Sequence, residues 1–561
     1  MTPLHSAEIW LRAVQSKDPA LRATLVVTYG LAPTEIEIRL RVIEQTLRRF
    51  LAVFGDRPVR IFRCPGRINL RGMHVDTHGG HLNLMTHQRE VVVAACPSPD
   101  SRCRIVNVDP SFEDVSLDLA EMRASPLSSL SWFQFITHPS IQRRVSARSG
   151  SWLNYIDGSL LRVQYEYPGK PLTGILASVG SDLPRGASLS SSAALCVALQ
   201  SAVLAINALP APPELRIPMA RDAEWYAGAR VGISDPSAVV LGCANQFINF
   251  APDPERLSAS NVRNFAFPGD LRVLVINSFT VRSLSGAQHV EYVRNRFAYS
   301  LALDIFRQDL RRHGVDEHSV ADMRWLSDVV RYVKRIDGTG SIVFDWLRGV
   351  PETVTLDSLR SGYTLPTLDE TYDRYFGRVE DSIRPRSFAM RGPLLFGIAE
   401  SARARVFPDV LRSDSTYNEV GALMNAGHDG DRRFDAAGQP WGFDCGDAVL
   451  QRLAENAAPI ERVPGAYGAS SRALDALVDC ARRAGAVGAC LTGAGIAGSI
   501  LALCTAGNED AVAERVRAFL ASAEYSAIAG LSGRLSDAAV GDGVVVNRAP
   551  TAACEIEASR L

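Results

Sequence analysis

The sequence lacks the patterns that mark several large classes of protein. None of its ten cysteines forms a C-x-x-C pair and most lie within apolar runs, so metal or disulfide bonding is not their expected role. The 60 basic and 61 acidic residues balance and form no basic block, which argues against nucleic acid or an anionic membrane as a partner. No stretch predicts a membrane span or a signal peptide. We therefore expect a cytoplasmic protein.

The composition is typical of a soluble globular protein, with 47% hydrophobic and 22% charged residues over 561 positions. This length predicts two or more domains. Strand and helix patterns alternate irregularly, which favours an α+β fold over a doubly wound sheet. We expect a helical extension over residues 1–40, an N-terminal domain over 41–270 and a C-terminal domain over 271–561 with an insertion near 305–400. The sequence does not indicate an oligomeric state.

One segment, "PRGASLSSSAALCVALQSAVLAIN" at 184–207, places four serines between a glycine and a predicted apolar helix. The free N–H groups at a helix start carry partial positive charge, and serine hydroxyls beside them can bind phosphate or magnesium. The alternative is that the serines only cap the helix. One capping serine is enough for a helix, so the surplus favours a phosphate site.

Two further glycine-bearing segments lie at 64–87 and 490–503. The stretch "GAGIAG" at 493–498 matches a dinucleotide-binding pattern, but a short strand-like run follows it where a helix is required. We therefore expect a hairpin loop that packs against another loop. The sequence contains neither a P-loop signature nor the H-R-D and D-F-G motifs of protein kinases.

In this order, the three segments resemble the GHMP kinases, and most closely their galactokinase branch. The motifs read "PGRINLRGMHVDTHGG", "PRGASLSSSA" and "TGAGIAG", and the stretches 228–238, 276–296 and 421–433 agree further. The resemblance covers about residues 42–300 and 390–550. It implies an N-terminal ribosomal S5 domain 2-like α/β domain, a C-terminal ferredoxin-like domain and an active site between them.

The resemblance also implies an activity, the ATP-dependent phosphorylation of the anomeric hydroxyl of a monosaccharide. Asp235 would be the general base, and Arg67 would stabilise the transferring phosphoryl group. ATP would bind along Gly186, Ser188, Ser190, Ser191 and Ser192, with Mg²⁺ at Ser192 and Glu224. The sugar would contact Arg67, Met73, His74, Asp76, Gly232 and Tyr292. Without the resemblance, Asp235 would be interpreted as a turn residue, Glu224 as a solvated helix glutamate and Tyr292 as a core side chain.

The chain departs from the galactokinase pattern in its first motif. Met73 stands where galactokinases have the glutamate that binds the C6 hydroxyl of galactose, and Arg71 replaces an apolar residue. An apolar residue would permit a uronate, which a buried carboxylate would repel, so we expect galacturonate or another C6-altered galactose-type sugar, with Arg71 as a candidate carboxylate partner.

Two other functions remain open at this point. One is a GHMP kinase of another small-molecule alcohol, and the other is a catalytically silent regulator that binds ATP and sugar. Such a regulator would have lost the base or its arginine. Both Asp235 and Arg67 are present, which favours an enzyme.

Overall fold

The structure is a computed structural model that describes residues 4–255, 258–281, 286–377, 379–413 and 416–557. For residues 286–289, 291 and 292 it describes the backbone alone, so the predicted sugar contact of Tyr292 lies outside the described side chains. None of the described helices is both long and apolar enough to cross a membrane.

The strands, numbered in chain order, are β1 (Arg60–Arg71), β2 (Leu82–Pro97), β3 (Arg102–Asn107), β4 (Val115–Asp118), β5 (Ile175–Ser181), β6 (Gln246–Phe250), β7 (Arg263–Ala266), β8 (Leu271–Asn277), β9 (Thr353–Thr355), β10 (Ser387–Ala389), β11 (Gly488–Thr492), β12 (Ser499–Thr505), β13 (Val544–Val546) and β14 (Cys554–Ile556).

The α-helices are α1 (Ala7–Gln15), α2 (Pro19–Tyr29), α3 (Pro33–Phe54), α4 (Leu119–Ala124), α5 (Trp132–Thr137), α6 (Pro139–Ser146), α7 (Leu153–Glu166), α8 (Ser191–Ile206), α9 (Pro213–Tyr226), α10 (Ser234–Leu241), α11 (Gly286–Arg312), α12 (Glu317–Asp322), α13 (Leu326–Asp337), α14 (Ile342–Leu347), α15 (Leu356–Gly362), α16 (Leu368–Phe376), α17 (Arg391–Ser413), α18 (Asn418–Asp431), α19 (Asp447–Glu455), α20 (Arg472–Arg483), α21 (Glu509–Leu520), α22 (Ala523–Ala529) and α23 (Asp537–Gly543).

The larger sheet of the described chain has eight strands. Its main order is β14-β1-β2-β5-β3-β4, and β6 pairs with β2 and β7. Pro65 and Gly66 produce a register irregularity within a continuous β1 and do not end the strand. The serine-led helix α8 contacts β1 and β2, because its alanine, valine and leucine side chains are almost all buried. This packing fixes the start of α8 at the edge of the sheet.

The N-terminal helices cover the same sheet. The apolar residues of 35–54 recur at helical spacing, and they form α3, which ends at Phe54 before Gly55 with a φ of 72°. The predicted boundary at residue 40 falls inside α3. Tyr29 and Arg63 both hydrogen-bond the buried carboxylate of Glu90, at 2.7 and 2.6 Å. Buried polar contacts thus bind the extension to the sheet.

The second sheet has the order β11-β12-β8-β13 and is antiparallel throughout. Helices α20 and α21 contact β12 and bury their apolar faces, as expected from a ferredoxin-like domain. The chain then returns to the first sheet, where β14 pairs with β1. Residues 554–556 therefore complete the N-terminal sheet, although the predicted division assigns them to the C-terminal domain.

The segment predicted as an insertion near 305–400 is mostly helical. Its helices share a hydrophobic cluster with Val75, Leu82 and Leu84, which flank the loop of the first motif. Trp325 packs on Gly79 in this loop, where a Cβ would overlap the indole. The insertion therefore supports the loop that carries the predicted sugar contacts. The division into domains stays a prediction.

Candidate active site

The three glycine-bearing segments meet around Ser188. The guanidinium of Arg67, from the first segment, donates from Nη1 to the carbonyl of Ser188 at 2.6 Å. The hydroxyl of Ser188 donates to the carbonyl of Ala497 in the third segment at 3.3 Å, and Ser499 donates back to Ala187 at 2.7 Å. A Cβ at Gly498 would overlap the Ser188 hydroxyl, which explains why glycine is needed there. The "GAGIAG" stretch is a hairpin loop packed on another loop, as predicted.

At this junction, Arg67 forms an ion pair with Asp235. Its Nε and Nη2 lie 2.8 and 2.7 Å from Oδ1 of the carboxylate, which is in the first turn of α10. The Arg67 side chain is 5% exposed and that of Asp235 is 18% exposed. Solvent, and therefore a ligand, can reach the Asp235 carboxylate, whereas the Arg67 side chain is almost completely buried.

The surroundings of Asp235 keep it ionised. Burial by itself raises the pKa of this carboxyl, but the Arg67 guanidinium and hydrogen bonds from Arg67 and Ser234 outweigh it and hold the pKa below the usual aspartate value. A carboxylate that is ionised, partly exposed and fixed by an arginine can accept a proton from a bound hydroxyl group.

The serines do not cap helix α8. Ser190 occupies the N-cap position, yet no side chain there accepts a hydrogen bond from the first turn. Ser188 and Ser190 have φ angles of 58° and 62°, in the left-handed region that favours glycine. Ser188 stands where the galactokinase motif has glycine, and its positive φ explains that preference. The capping interpretation is wrong, and the N–H groups of the first turn keep no partner within the helix.

Ser192 and Glu224 lie together beside this helix start. The Ser192 hydroxyl donates to Oε1 of Glu224 at 2.6 Å, and Glu224 is 1% exposed on α9. A hydroxyl and a carboxylate are the oxygen ligands that Mg²⁺ prefers, and Mg²⁺ needs only one or two from the protein. The pair therefore fits a magnesium ion bound with a nucleotide. Glu224 is not the solvated helix residue of the alternative interpretation.

The predicted sugar contacts of the first motif converge on the same place. Asp76 accepts a hydrogen bond from the backbone of Ser234 at 3.0 Å, next to Asp235. A Cβ at Gly232 would overlap the Asp76 carboxylate, so glycine is required there. His74 has a φ of 62° and its ring stacks on Tyr467 with centroids 4.4 Å apart. The loop is tightly constrained on both faces.

Met73 and Arg71 point into the protein. Met73 is 1% exposed and belongs to a hydrophobic cluster that includes Tyr299, Phe396 and Tyr467. Arg71 is also 1% exposed, with Nη1 3.5 Å from Glu400 and 3.2 Å from the carbonyl of Leu423. The expectation that Arg71 is available to a substrate carboxylate is wrong, because a buried protein carboxylate already holds it.

Sequence reasoning missed two carboxylates that hold the first motif. Glu400 of α17 accepts the backbone N–H groups of Gly72 and Met73 at 2.7 and 3.1 Å. Asp431 at the end of α18 lies 3.4 Å from His74. The signal for Glu400 was a lone acid in the apolar run "LLFGIAES", and Asp431 lies in the 421–433 stretch already noted as family-like.

Comparison with known proteins agrees with this arrangement. The galactokinase galactose-binding signature matches residues 48–97, the GHMP kinase N-terminal domain matches 154–243 and the GHMP kinase C-terminal domain matches 447–522. A galactokinase from Roseiflexus sp. (strain RS-1) is 30% identical over 243 residues, 43% of this chain and 54% of the relative. One from Chloroflexus aggregans is 31% identical over 262 residues, 46% of this chain and 59% of the relative. The matches thus span little more than half the length of these relatives.

Among solved structures, the galactokinase of Lactococcus lactis in complex with galactose superposes with a TM-score of 0.58 at 18% identity, covering 90% of this chain and 98% of that one. At this identity the likeness concerns the fold alone. The predicted α+β fold with its N- and C-terminal GHMP domains is confirmed. With three domain matches in the family's order, the predicted resemblance to the GHMP kinases, and among them to the galactokinase-like branch, is confirmed.

Proposed function

We propose that the protein transfers the γ-phosphoryl group of ATP to the anomeric hydroxyl of a galactose-type monosaccharide. The observation that carries the proposal is the Arg67–Asp235 pair, 2.7 Å apart and partly exposed, at the junction of the three glycine-bearing segments. The relatives named galactokinase support the same activity.

In this proposal Asp235 accepts the proton of the sugar hydroxyl as the hydroxyl oxygen attacks the γ-phosphorus. Arg67 keeps Asp235 ionised and adds positive charge beside the transferring group. The N–H groups that open α8 and the hydroxyls of Ser188 to Ser192 bind the phosphates, with Gly186 in the turn before them. His74, Asp76 and Gly232 orient the sugar.

Ser192 and Glu224 would hold Mg²⁺ together with the nucleotide. A bound magnesium ion neutralises charge on the β- and γ-phosphate oxygens. We expect Ser192→Ala to raise the KM for MgATP about tenfold, since it removes one of few protein ligands. The variant should stay folded because Ser192 does not cap the helix, although it loses the hydrogen bond to the buried Glu224. Ser201→Ala, further along α8, is the matched control.

We further propose that the sugar differs from galactose at C6. Met73 replaces the glutamate that, in the galactokinase pattern, binds the C6 hydroxyl, and it is buried among apolar side chains. Because Arg71 is held by Glu400, an uncharged substituent or a pentose is favoured over the carboxylate of galacturonate.

The test is an ADP-release assay of the purified protein over galactose, galacturonate, glucuronate, arabinose and fucose, with ³¹P NMR to identify a sugar 1-phosphate. Asp235→Asn is the matched control for contaminating kinases. Turnover of arabinose or fucose at least as efficient as that of galactose supports both proposals. A galactose preference of several orders of magnitude overturns the C6 proposal. Binding of ATP and sugar without turnover overturns the activity and supports a silent regulator.

A further inference from the structure

Asp431 carries a buried carboxylate without a hydrogen bond. It is the last residue of α18 and is 1% exposed, and among the described residues neither of its carboxylate oxygens has a hydrogen-bond partner. Its backbone carbonyl accepts the N–H of Ser470 at 2.8 Å, which fixes the chain at this point. Burying a carboxylate without a compensating contact is costly, so its position calls for a partner.

The group that faces this carboxylate is the imidazole of His74. Nε2 of the ring lies 3.4 Å from Oδ1, and within the described part of the chain Nε2 also lacks any other hydrogen-bond partner. The ring cannot turn away, because it stacks on Tyr467 at an interplanar angle of 14° and lies against Phe396. The two unsatisfied groups are therefore held facing one another.

The arginines near Asp431 do not serve as partners of its carboxylate in place of His74. Arg71 and Arg403 lie close enough to interact electrostatically with Asp431, but both are engaged by Glu400. Glu400 holds the backbone of the loop through Gly72 and Met73, whereas Asp431 faces the side chain of the next residue. The two carboxylates thus act on different parts of the same loop.

We infer that Asp431 is a positioning residue of the sugar site, which keeps a proton on Nε2 of His74. With that proton fixed, Nδ1 is the remaining atom of the neutral ring that can accept a hydrogen bond, and it takes one from a sugar hydroxyl. This inference rests on the proposed function, in which His74 contacts the sugar. An aspartate that fixes an imidazole tautomer in this way is a general device of polar active sites.

The variant Asp431→Asn keeps the shape and removes the charge that favours the Nε2 proton. We expect kcat/KM for the accepted sugar to fall about 10- to 100-fold, with the KM for MgATP unchanged. Asp429→Asn, two residues earlier on α18 and paired with Arg482, is the matched control and should leave both values near wild type. In a His74→Gln background, Asp431→Asn should have little further effect, because the residue through which it acts is gone.

A second readout does not need turnover. In protein labelled with ¹⁵N-histidine, the His74 signals are identified by their loss in His74→Gln, and long-range ¹H–¹⁵N spectra show which ring nitrogen is protonated. We expect the Nε2 proton of wild type to be lost or moved to Nδ1 in Asp431→Asn. The same protonation in both proteins, an equal rise in the KM for MgATP, or additive effects with His74→Gln would overturn the inference. If no sugar is turned over, the proposed function fails and the spectra still decide the role of Asp431.

Discussion

Arg67 and Arg71 lie on the same strand, β1, and each forms an ion pair with a carboxylate from a distant part of the chain. The Asp235 side chain is 18% exposed, whereas Glu400 is completely buried and is shared with Arg403. Burial raises the pKa of both carboxyls by itself, and the arginines bring both below their usual values. In the proposed function the same kind of pair therefore serves two purposes, which are chemistry at the partly exposed Asp235 and loop support at the buried Glu400.

The largest effect should come from Asp235→Asn, which keeps the size of the side chain and removes the proton acceptor. We expect kcat to fall about 10³-fold, with smaller changes in the KM for ATP and sugar. Steady-state kinetics on the accepted sugar measure this. A variant with near-native kcat would show that Asp235 is not the base. The Arg67–Asp235 pair would then have no catalytic role to set against the structural role of the Arg71–Glu400 pair.

Glu400→Gln should break the buried pair and affect stability instead. Removing this carboxylate leaves Arg71 and Arg403 buried without a counter-charge, which costs about 3–5 kcal/mol in the free energy of unfolding. Urea denaturation of wild type, Glu400→Gln and Asp235→Asn compares the two pairs directly. Asp235→Asn should lose less free energy of unfolding than Glu400→Gln, because water can reach the site of Asp235. Equal losses would contradict the distinction between them.

A pH profile sharpens the role of Arg67. In wild type the lowered pKa of Asp235 keeps the carboxylate ionised at pH 5 and above, so its protonation should not reduce kcat there. In Arg67→Gln, burial is no longer opposed by the guanidinium, and the pKa of Asp235 rises. The residual kcat of this variant should therefore fall at a higher pH than that of wild type as the solution is acidified. If kcat of wild type and of Arg67→Gln falls at the same pH, Arg67 does not lower the pKa of Asp235.

The same pair makes a prediction about stability. A carboxylate with a lowered pKa stabilises the folded state above its unfolded pKa, and this contribution is lost as the pH falls through the folded pKa. The free-energy difference between wild type and Asp235→Asn should thus be present at pH 7 and shrink below about pH 4.

The smallest effect is expected at the surface. Asp409 pairs with Arg412 at 2.6 Å on α17, the helix of Glu400, with both side chains more than half exposed. Asp409→Asn should change the free energy of unfolding by no more than about 1 kcal/mol. The urea series measures it beside Glu400→Gln, and a loss of several kcal/mol would show that position on α17, rather than burial, decides the cost.

Much of the fold could be predicted from sequence because its signals are local. Apolar spacing before Gly55 is typical of a helix and indicates α3, and the local patterns of residues 472–505 indicate the helix, strand, glycine loop and strand that form α20, β11 and β12. The resemblance also assigned Arg67 and Asp235 to one site from their motif positions, although it did not predict the contact between Arg67 and Ser188. These residues occur in compact patterns that need no long-range information.

The interpretations that failed depended on long-range contacts. Whether Arg71 faces solvent is decided by Glu400, which lies 329 positions later on a helix predicted to end an insertion. Capping is the alternative that serines at a helix start suggest, yet Ser190 has a left-handed backbone and its side chain makes no cap hydrogen bond. No local pattern carries this information.

The return of the chain from the second sheet to the first also has a consequence for synthesis. Strand β14 pairs with β1, and Arg63 donates to the carbonyl of Thr551, 488 positions later in the chain. The N-terminal sheet therefore stays open at the edge of β1, with this arginine incompletely bonded, until residues 551–556 have emerged from the ribosome. An exposed strand edge is a site for wrong pairing, so folding of the nascent chain has to wait for β14 or protect that edge meanwhile.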